Sequence, residues 1–323
     1  MSRMSRRRSL GALTTTVLAA IATSVALAPP AAAAPAYDEY VALGDSWTAD
    51  VVIVGIGGSA TPQYVPLDCA QSSANYPKQV AKKLGVPKFF DASCGSATSE
   101  HFESPQPGLP LGGTNPPQFS HLTKNTDLVT VGIGGNDIGL AGAVTPCINL
   151  LPSITLVPGV ALPAPLGGSC RPKPGAVDPI DEAIKTQESA ITERIEAIKP
   201  LVADDARIVM VNYIAGVPPR GCWPYVQINN EDVPWIYEKF IALNDMVARI
   251  ADKAGVELVD AYTDTLGHDV CQGLFTRYVE AVLPVSLNAP AIAIPFHPNS
   301  AGAKAQAQSV LAHLNGSEPA GVE

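Results

Sequence analysis

Between Tyr37 and Gly316, short apolar runs alternate with longer segments whose apolar residues recur every three or four positions. The runs EYVALG (39–44), KFFDAS (88–93), DLVTVGIGG (127–135), RIVMVNY (207–213) and VELVDA (256–261) have the length and apolar content of buried strands. Helical spacing fills 75–85, 178–203, 233–255 and 298–316. In the second of these, Ile184, Ile191, Ile195 and Ile198 share one face, with charges opposite. Gly85 and Gly255 stand at helix ends, where a left-handed closing residue is favoured. Strands alternating with helices predict an α/β fold: three α/β/α layers around a mainly parallel five-stranded sheet. The pattern runs without a linker through 37–316, which reads as a single domain.

The two ends break the pattern. Residues 1–36 have a basic start, an apolar middle and a small-residue close, the order of a secretion signal, with Ala36 the preferred last residue of the leader. Ser5-Arg6-Arg7 also resembles a twin-arginine signal, with Ser9 where Phe is expected. Its apolar run is too short and too rich in Ala and Thr for a membrane anchor. The last residues, 317–323, read as a disordered tail. The leader carries four arginines and no acid, so its removal moves the formal charge from −9 to −13. So acidic a chain lacks the basic footprint of a nucleic-acid or anionic-membrane binder. A secreted, extracellular monomer without stable membrane insertion is expected.

In an oxidising compartment, six cysteines read as a disulfide framework. Neighbour pairing, Cys69–Cys94, Cys147–Cys170 and Cys222–Cys271, closes the shortest loops. No CxxC pair is present, so no zinc site is expected. Two insertions interrupt the alternation, 138–176 and 262–296; both are apolar and suit either the wall of an apolar binding site or packing over the sheet edge.

Four short motifs fall at strand ends or helix starts, where ligands bind in parallel sheets. In VALGDSWTAD, glycine permits a sharp turn and Ser46 opens a helix, which suits a nucleophile as well as a cap. In DASCGSATS, the Gly95 N–H is a candidate donor into the same crevice, or part of a tight turn tied by Cys94. In GIGGND, the Asn136 amide is a candidate oxyanion donor or a turn cap. His297, in FHPNSAG, stands at the mouth of the last helix, whereas His101, His121, His268 and His313 have no companion motif. GIGGND fails as a dinucleotide fingerprint at Asp137, and GIGGSA (55–60) is followed by Thr-Pro-Gln and not by a helix. No cofactor is expected.

Together, GDSW, SCGSAT, GIGGND and FHPNSAG resemble, in order and distance, the SGNH (GDSL-type) hydrolases over essentially all of 37–316. The six cysteines and SSANYP (72–77) look most like the secreted actinobacterial esterase/lipase branch. The resemblance implies a flavodoxin-like fold and a serine carboxylic ester hydrolase, with Ser46 as nucleophile and His297 as base. It implies an oxyanion hole made of the Ser46 N–H, the Gly95 N–H and the Asn136 amide. Asp45 would hold the turn. Trp47 departs from the usual Leu or Tyr and bears on pocket shape.

The family's usual orienting Asp lies three residues before the histidine, where this chain has Ile294. Either a backbone carbonyl, most simply that of Ile294, accepts the Nδ1–H of His297, or Asp260, Asp264 or Asp269 reaches in. The carbonyl is preferred, because AIAIPF is a poor setting for a charge. The expected substrate is a small-molecule or lipid acyl ester. A phospholipase or glycan acetylesterase of the same fold, or an extracellular binding protein without catalysis, are the alternatives.

Overall fold

The computed structural model describes residues 36–53, 64–151, 155–157, 160–161, 165–284 and 292–316. The leader up to residue 35, GIGGSA (55–60), the stretch 285–291 and the tail 317–323 lie outside the described residues.

The strands are β1 (Glu39–Gly44), β2 (Lys88–Asp91), β3 (Leu128–Gly132), β4 (Thr155–Val157), β5 (Val160–Ala161), β6 (Arg207–Val211) and β7 (Glu257–Val259). Five of them form one sheet, in the order β2-β1-β3-β6-β7, and every pairing in it is parallel. The sheet is thus wholly and not merely mainly parallel. The antiparallel pair β4–β5 belongs to the first insertion.

Period-2 alternation covers both faces, as a parallel sheet requires. Val41, Leu43, Val129, Val131 and Met210 share one core with α4 (Pro179–Glu196) and α5 (Val233–Ala254). Tyr40, Ala42, Leu128, Val209 and Val211 share the other with α2 (Tyr76–Leu84) and α7 (Ser300–Leu314). Most elements stop short of the predicted spans, and in two the cause is visible. The 178–203 helix ends at Glu196, and a 3₁₀ turn, Lys199–Leu201, carries Pro200, which has no N–H to continue an α-helix. The last strand ends at Val259, where Asp260 caps the short helix Ala261–Asp264.

Chain order places β2 on one side of β1 and β3 on the other, so the crevice between β1 and β3 is the topological switch point where ligands bind. Tyr40 pairs with Leu128 and Gly44 with Gly132, so both strands release their turns at the same level. Three disulfides, Cys69–Cys94, Cys147–Cys170 and Cys222–Cys271, join neighbours along the chain as predicted.

Candidate active site

Gly44 ends β1 against its neighbour: a Cβ there would lie 2.3 Å from Thr48 Oγ1 and 2.6 Å from the Gly132 carbonyl oxygen. Only glycine permits so close an approach. The next residue, Asp45, caps the short helix α1 (Ser46–Ala49) by accepting the Trp47 N–H at 2.9 Å. Ser46 therefore starts a helix directly beyond β1. The SSANYP segment holds this helix from below: Asn75 Nδ2 donates to the Thr48 carbonyl at 3.0 Å and to Asp91 at 2.7 Å.

His297 Nε2 lies 2.9 Å from Ser46 Oγ, across 251 residues of sequence. The imidazole is half-buried, and its desolvation lowers the pKa to about 4 although the hydrogen bond to the Pro295 carbonyl acts to raise it. The ring is thus neutral at pH 7 and able to accept a proton.

The partner of Nδ1 differs from the predicted one. It is the carbonyl of Pro295, at 2.9 Å, and not that of Ile294. The reason is local. The Ile294 carbonyl already accepts the backbone N–H of His297 at 3.2 Å, and Phe296 has φ +60°. With proline second and a positive φ third, Ile294–His297 has the pattern of a type II turn. Its middle carbonyl, that of Pro295, is the one turned towards the ring. Three side-chain alternatives are engaged or distant. Asp260 binds Asn212 and Thr263, Asp269 binds Cys271 and Gln272, Asp264 is exposed, and none borders the cavity at Ser46.

The histidine turn is itself clamped. The Glu280 carbonyl accepts the Phe296 N–H at 2.9 Å, and the Glu280 N–H donates to the His297 carbonyl at 3.0 Å. The Glu280 carboxylate pairs with Arg277 at 2.6 Å, both side chains being buried, and accepts Asn299 Nδ2 at 3.1 Å. Asn299 also caps α7 through the Ala301 and Gly302 N–H groups. The helix mouth, the ion pair and the turn are one unit.

Of the three predicted oxyanion donors, two keep a free hydrogen on residues that border the cavity and one does not. The Ser46 N–H has no hydrogen-bond partner among the described residues. Asn136 Nδ2 donates one hydrogen to the Ala97 carbonyl at 2.9 Å and retains a second, and Asn136 borders the cavity. The Gly95 N–H instead donates to the Cys69 carbonyl at 3.1 Å. Glycine eases the close approach: a Cβ would sit 3.2 Å from that oxygen and 3.2 Å from Val51 Cγ1. The neighbouring N–H, that of Ser96, has no partner among the described residues. Ser96 has φ +62° and Ala97 N–H bonds the Cys94 carbonyl at 3.2 Å, again the pattern of a type II turn. Gln106 Nε2 holds the Gly95 carbonyl at 2.7 Å. In a trans peptide the adjoining Ser96 N–H points the opposite way.

Ser46, Asn136 and His297 line a cavity of about 380 Å³. Its walls are chiefly apolar, with Trp47, Leu140, Val144, Ile236, Phe240 and Val279 among them. Both insertions contribute, the first through its opening helix α3 (Leu140–Val144) and Ile148, the second through Val270, Cys271 and Val279. The other histidines do different work. His101 completes a capping box, His121 packs on Phe90, His268 stacks on Tyr278, and His313 pairs with Glu257. Among the described residues no cluster of His, Cys, Asp and Glu is suited to a metal ion, and no helix is long and apolar enough to cross a membrane.

A serine hydroxyl on a neutral, half-buried imidazole at the switch point of a parallel sheet is the arrangement of a serine hydrolase. Residues 42–305 match the model of the GDSL-like Lipase/Acylhydrolase family, and the chain belongs to that family. It is 31% identical over 303 residues to Lipase 2 of Streptomyces coelicolor, covering 92% of each chain. It is 28% identical over 324 residues to an esterase of Streptomyces scabiei, again covering 92% of each. Among solved structures, phospholipase A1 from Streptomyces albidoflavus NA297 superposes with a TM-score of 0.59 at 20% identity, covering 88% of this chain and 100% of that one. The extracellular lipase of Streptomyces rimosus gives 0.57 at 21% identity, covering 87% and 99%. The family and its named relatives make this chain a carboxylic ester hydrolase.

Proposed function

We propose that this chain is a secreted esterase or lipase that acts through an acyl-enzyme on Ser46, using a Ser46–His297 dyad oriented by the Pro295 carbonyl. The observation that carries the reading is the 2.9 Å contact between Ser46 Oγ and His297 Nε2 on the lining of an apolar cavity. With Nδ1–H held by Pro295, the lone pair of Nε2 faces the hydroxyl. His297 takes the hydroxyl proton as Ser46 Oγ bonds to the ester carbonyl carbon. The oxyanion that forms is met by the Ser46 N–H, the Asn136 amide and the Ser96 N–H, each such donor being worth roughly 3 kcal/mol. The imidazolium then protonates the leaving alcohol as its C–O bond breaks. Water repeats the sequence on the acyl-enzyme and restores Ser46. A carbonyl stabilises imidazolium less than a carboxylate does, so the oxyanion donors carry more of the acceleration here.

The leader 1–36 supports export, and the mature domain 37–316 is read as a monomer with a short tail. The cavity narrows the substrate. An apolar-walled cavity of about 380 Å³ suits an acyl chain. An acetyl group would leave the apolar walls unfilled, which disfavours a glycan acetylesterase. An intact Ser–His contact disfavours a binding protein. On p-nitrophenyl esters of increasing chain length, kcat/KM is expected to rise beyond the acetate before it falls. A profile highest on acetate and falling with each added carbon would overturn the acyl-chain reading.

A further inference from the structure

The dyad and the oxyanion donors come from separate turns, and something must fix the distance between them. Asp45 and Gly135 are the residues immediately before Ser46 and Asn136. The Asp45 side chain is almost fully buried, and among the described residues no cation pairs with it. One carboxylate oxygen accepts the Trp47 N–H; the other accepts the hydroxyl of Tyr213 in a short hydrogen bond. The same Tyr213 oxygen accepts the Gly135 N–H at 2.8 Å. A single phenol oxygen, two residues beyond the end of β6, thus bridges the turn after β1 and the turn after β3.

Tyr213 is held for that purpose from three sides. Its backbone N–H donates to Asn244 on α5 at 2.8 Å. Its ring meets Trp47 edge-on with centroids 5.5 Å apart, and Phe240 at 6.1 Å. The carbon skeleton would be held by packing alone; the hydroxyl is what links the two turns.

We infer that Tyr213 is a positioning residue, whose hydroxyl sets the placement of Ser46 against Asn136 through Asp45 and Gly135. The inference rests on the ester-hydrolase reading above. The bridge needs Asp45 as an acceptor on both oxygens, which ties it to the charge state of that carboxyl. Burial raises the Asp45 pKa to about 7, against the lowering effect of the Tyr213 and Trp47 bonds; Asp137, from the turn after β3, adds to the rise. Burial and the Asp45 carboxylate push the Tyr213 phenol well above its usual value, so it remains protonated and donates. His297 borders the same cavity and is neutral over this range. The Tyr213 bond favours ionised Asp45, so its removal shifts Asp45 protonation to higher pH.

The test compares the pH dependence of kcat and KM on a p-nitrophenyl ester for the wild type, for Tyr213→Phe, and for the protein with 3-fluorotyrosine at position 213. Tyr213→Phe is expected to lower kcat about ten- to hundredfold, as loss of a hydrogen bond to a charged group does. KM should stay within about twofold, and the acid limb of the profile should move to higher pH. Fluorination acidifies the phenol and strengthens its donation, so that variant should move the limb the other way, to lower pH. A Phe variant with wild-type kcat and an unmoved limb would overturn the inference, as would a change confined to KM. If Tyr213→Phe does not fold, the fluorinated protein decides, and an unmoved limb counts against the bridge. Absence of turnover in the wild type would remove the ester-hydrolase reading itself, and this inference with it.

Discussion

Two turns flank Ser46, and they are nearly the same turn used in opposite senses. Cys94–Ala97 and Ile294–His297 each close with a backbone hydrogen bond from fourth residue to first, at 3.2 Å in both. Each puts an ordinary L-residue in the left-handed region, Ser96 at φ +62° and Phe296 at +60°. Each has one side of its middle peptide anchored by a residue from elsewhere. Gln106 holds the Gly95 carbonyl and leaves the Ser96 N–H, the proposed third oxyanion donor, without a partner among the described residues. Glu280 holds the Phe296 N–H and leaves the Pro295 carbonyl for His297. A peptide is both donor and acceptor, and the anchor decides which end the site receives. Strain of about 1–3 kcal/mol per turn is retained because a distant residue fixes the peptide.

The largest effect that tests this pairing is on the ring it serves. His297→Ala, like Ser46→Ala, should lower kcat by a factor on the order of 10⁴–10⁶, with the circular dichroism of the native fold retained. If His297→Ala kept activity within tenfold, the histidine turn would have no catalytic role.

Next comes the anchor on that side. Arg277→Ala leaves Glu280 buried without its cation and should cost about 3–5 kcal/mol in denaturant unfolding. A loss below about 1 kcal/mol would mean that the ion pair does not carry the turn.

Gln106→Ala frees the Gly95 carbonyl on the other side. It should cost about 1–2 kcal/mol and lower kcat about tenfold, without a matching rise in KM. An unchanged kcat would return the third donor to some group other than the Ser96 N–H.

The smallest effect sharpens the contrast between carbonyl and carboxylate. Asp260→Asn, Asp264→Asn and Asp269→Asn, made singly, should each keep kcat within about threefold, since none borders the cavity. A fall of several orders of magnitude in any of them would replace Pro295 as the orienting group.

These turns also mark where sequence reasoning stopped. Ser46, Asn136 and His297, which border one cavity, could be singled out because each stands at a strand end or helix mouth in a motif with its own local logic. The alternation of apolar runs was enough for the five strands and their helices, with ends displaced by a few residues where Pro200 or the Asp260 cap intervened. The choice between Gly95 and Ser96, or between Ile294 and Pro295, depends on which peptide a turn flips. That is set by Gln106 and Glu280, which no local pattern connects to the site. Proline before Phe296 was a usable signal, since proline favours the second place of a type II turn. Tyr213 gave none: it follows β6 like any strand-end residue, and only the fold brings its hydroxyl to Asp45 and Gly135. The missing carboxylate before His297 was legible as an absence, and the turn supplies what replaces it.

The central claim, that Ser46 is acylated with His297 as its base, is tested most directly by the mass of the protein after reaction with a serine-directed organophosphonate. The account predicts a single adduct on the peptide containing Ser46, formed in parallel with loss of ester turnover and suppressed in His297→Ala. Turnover that persists with Ser46 unmodified, or inactivation by an adduct at another residue, would contradict it.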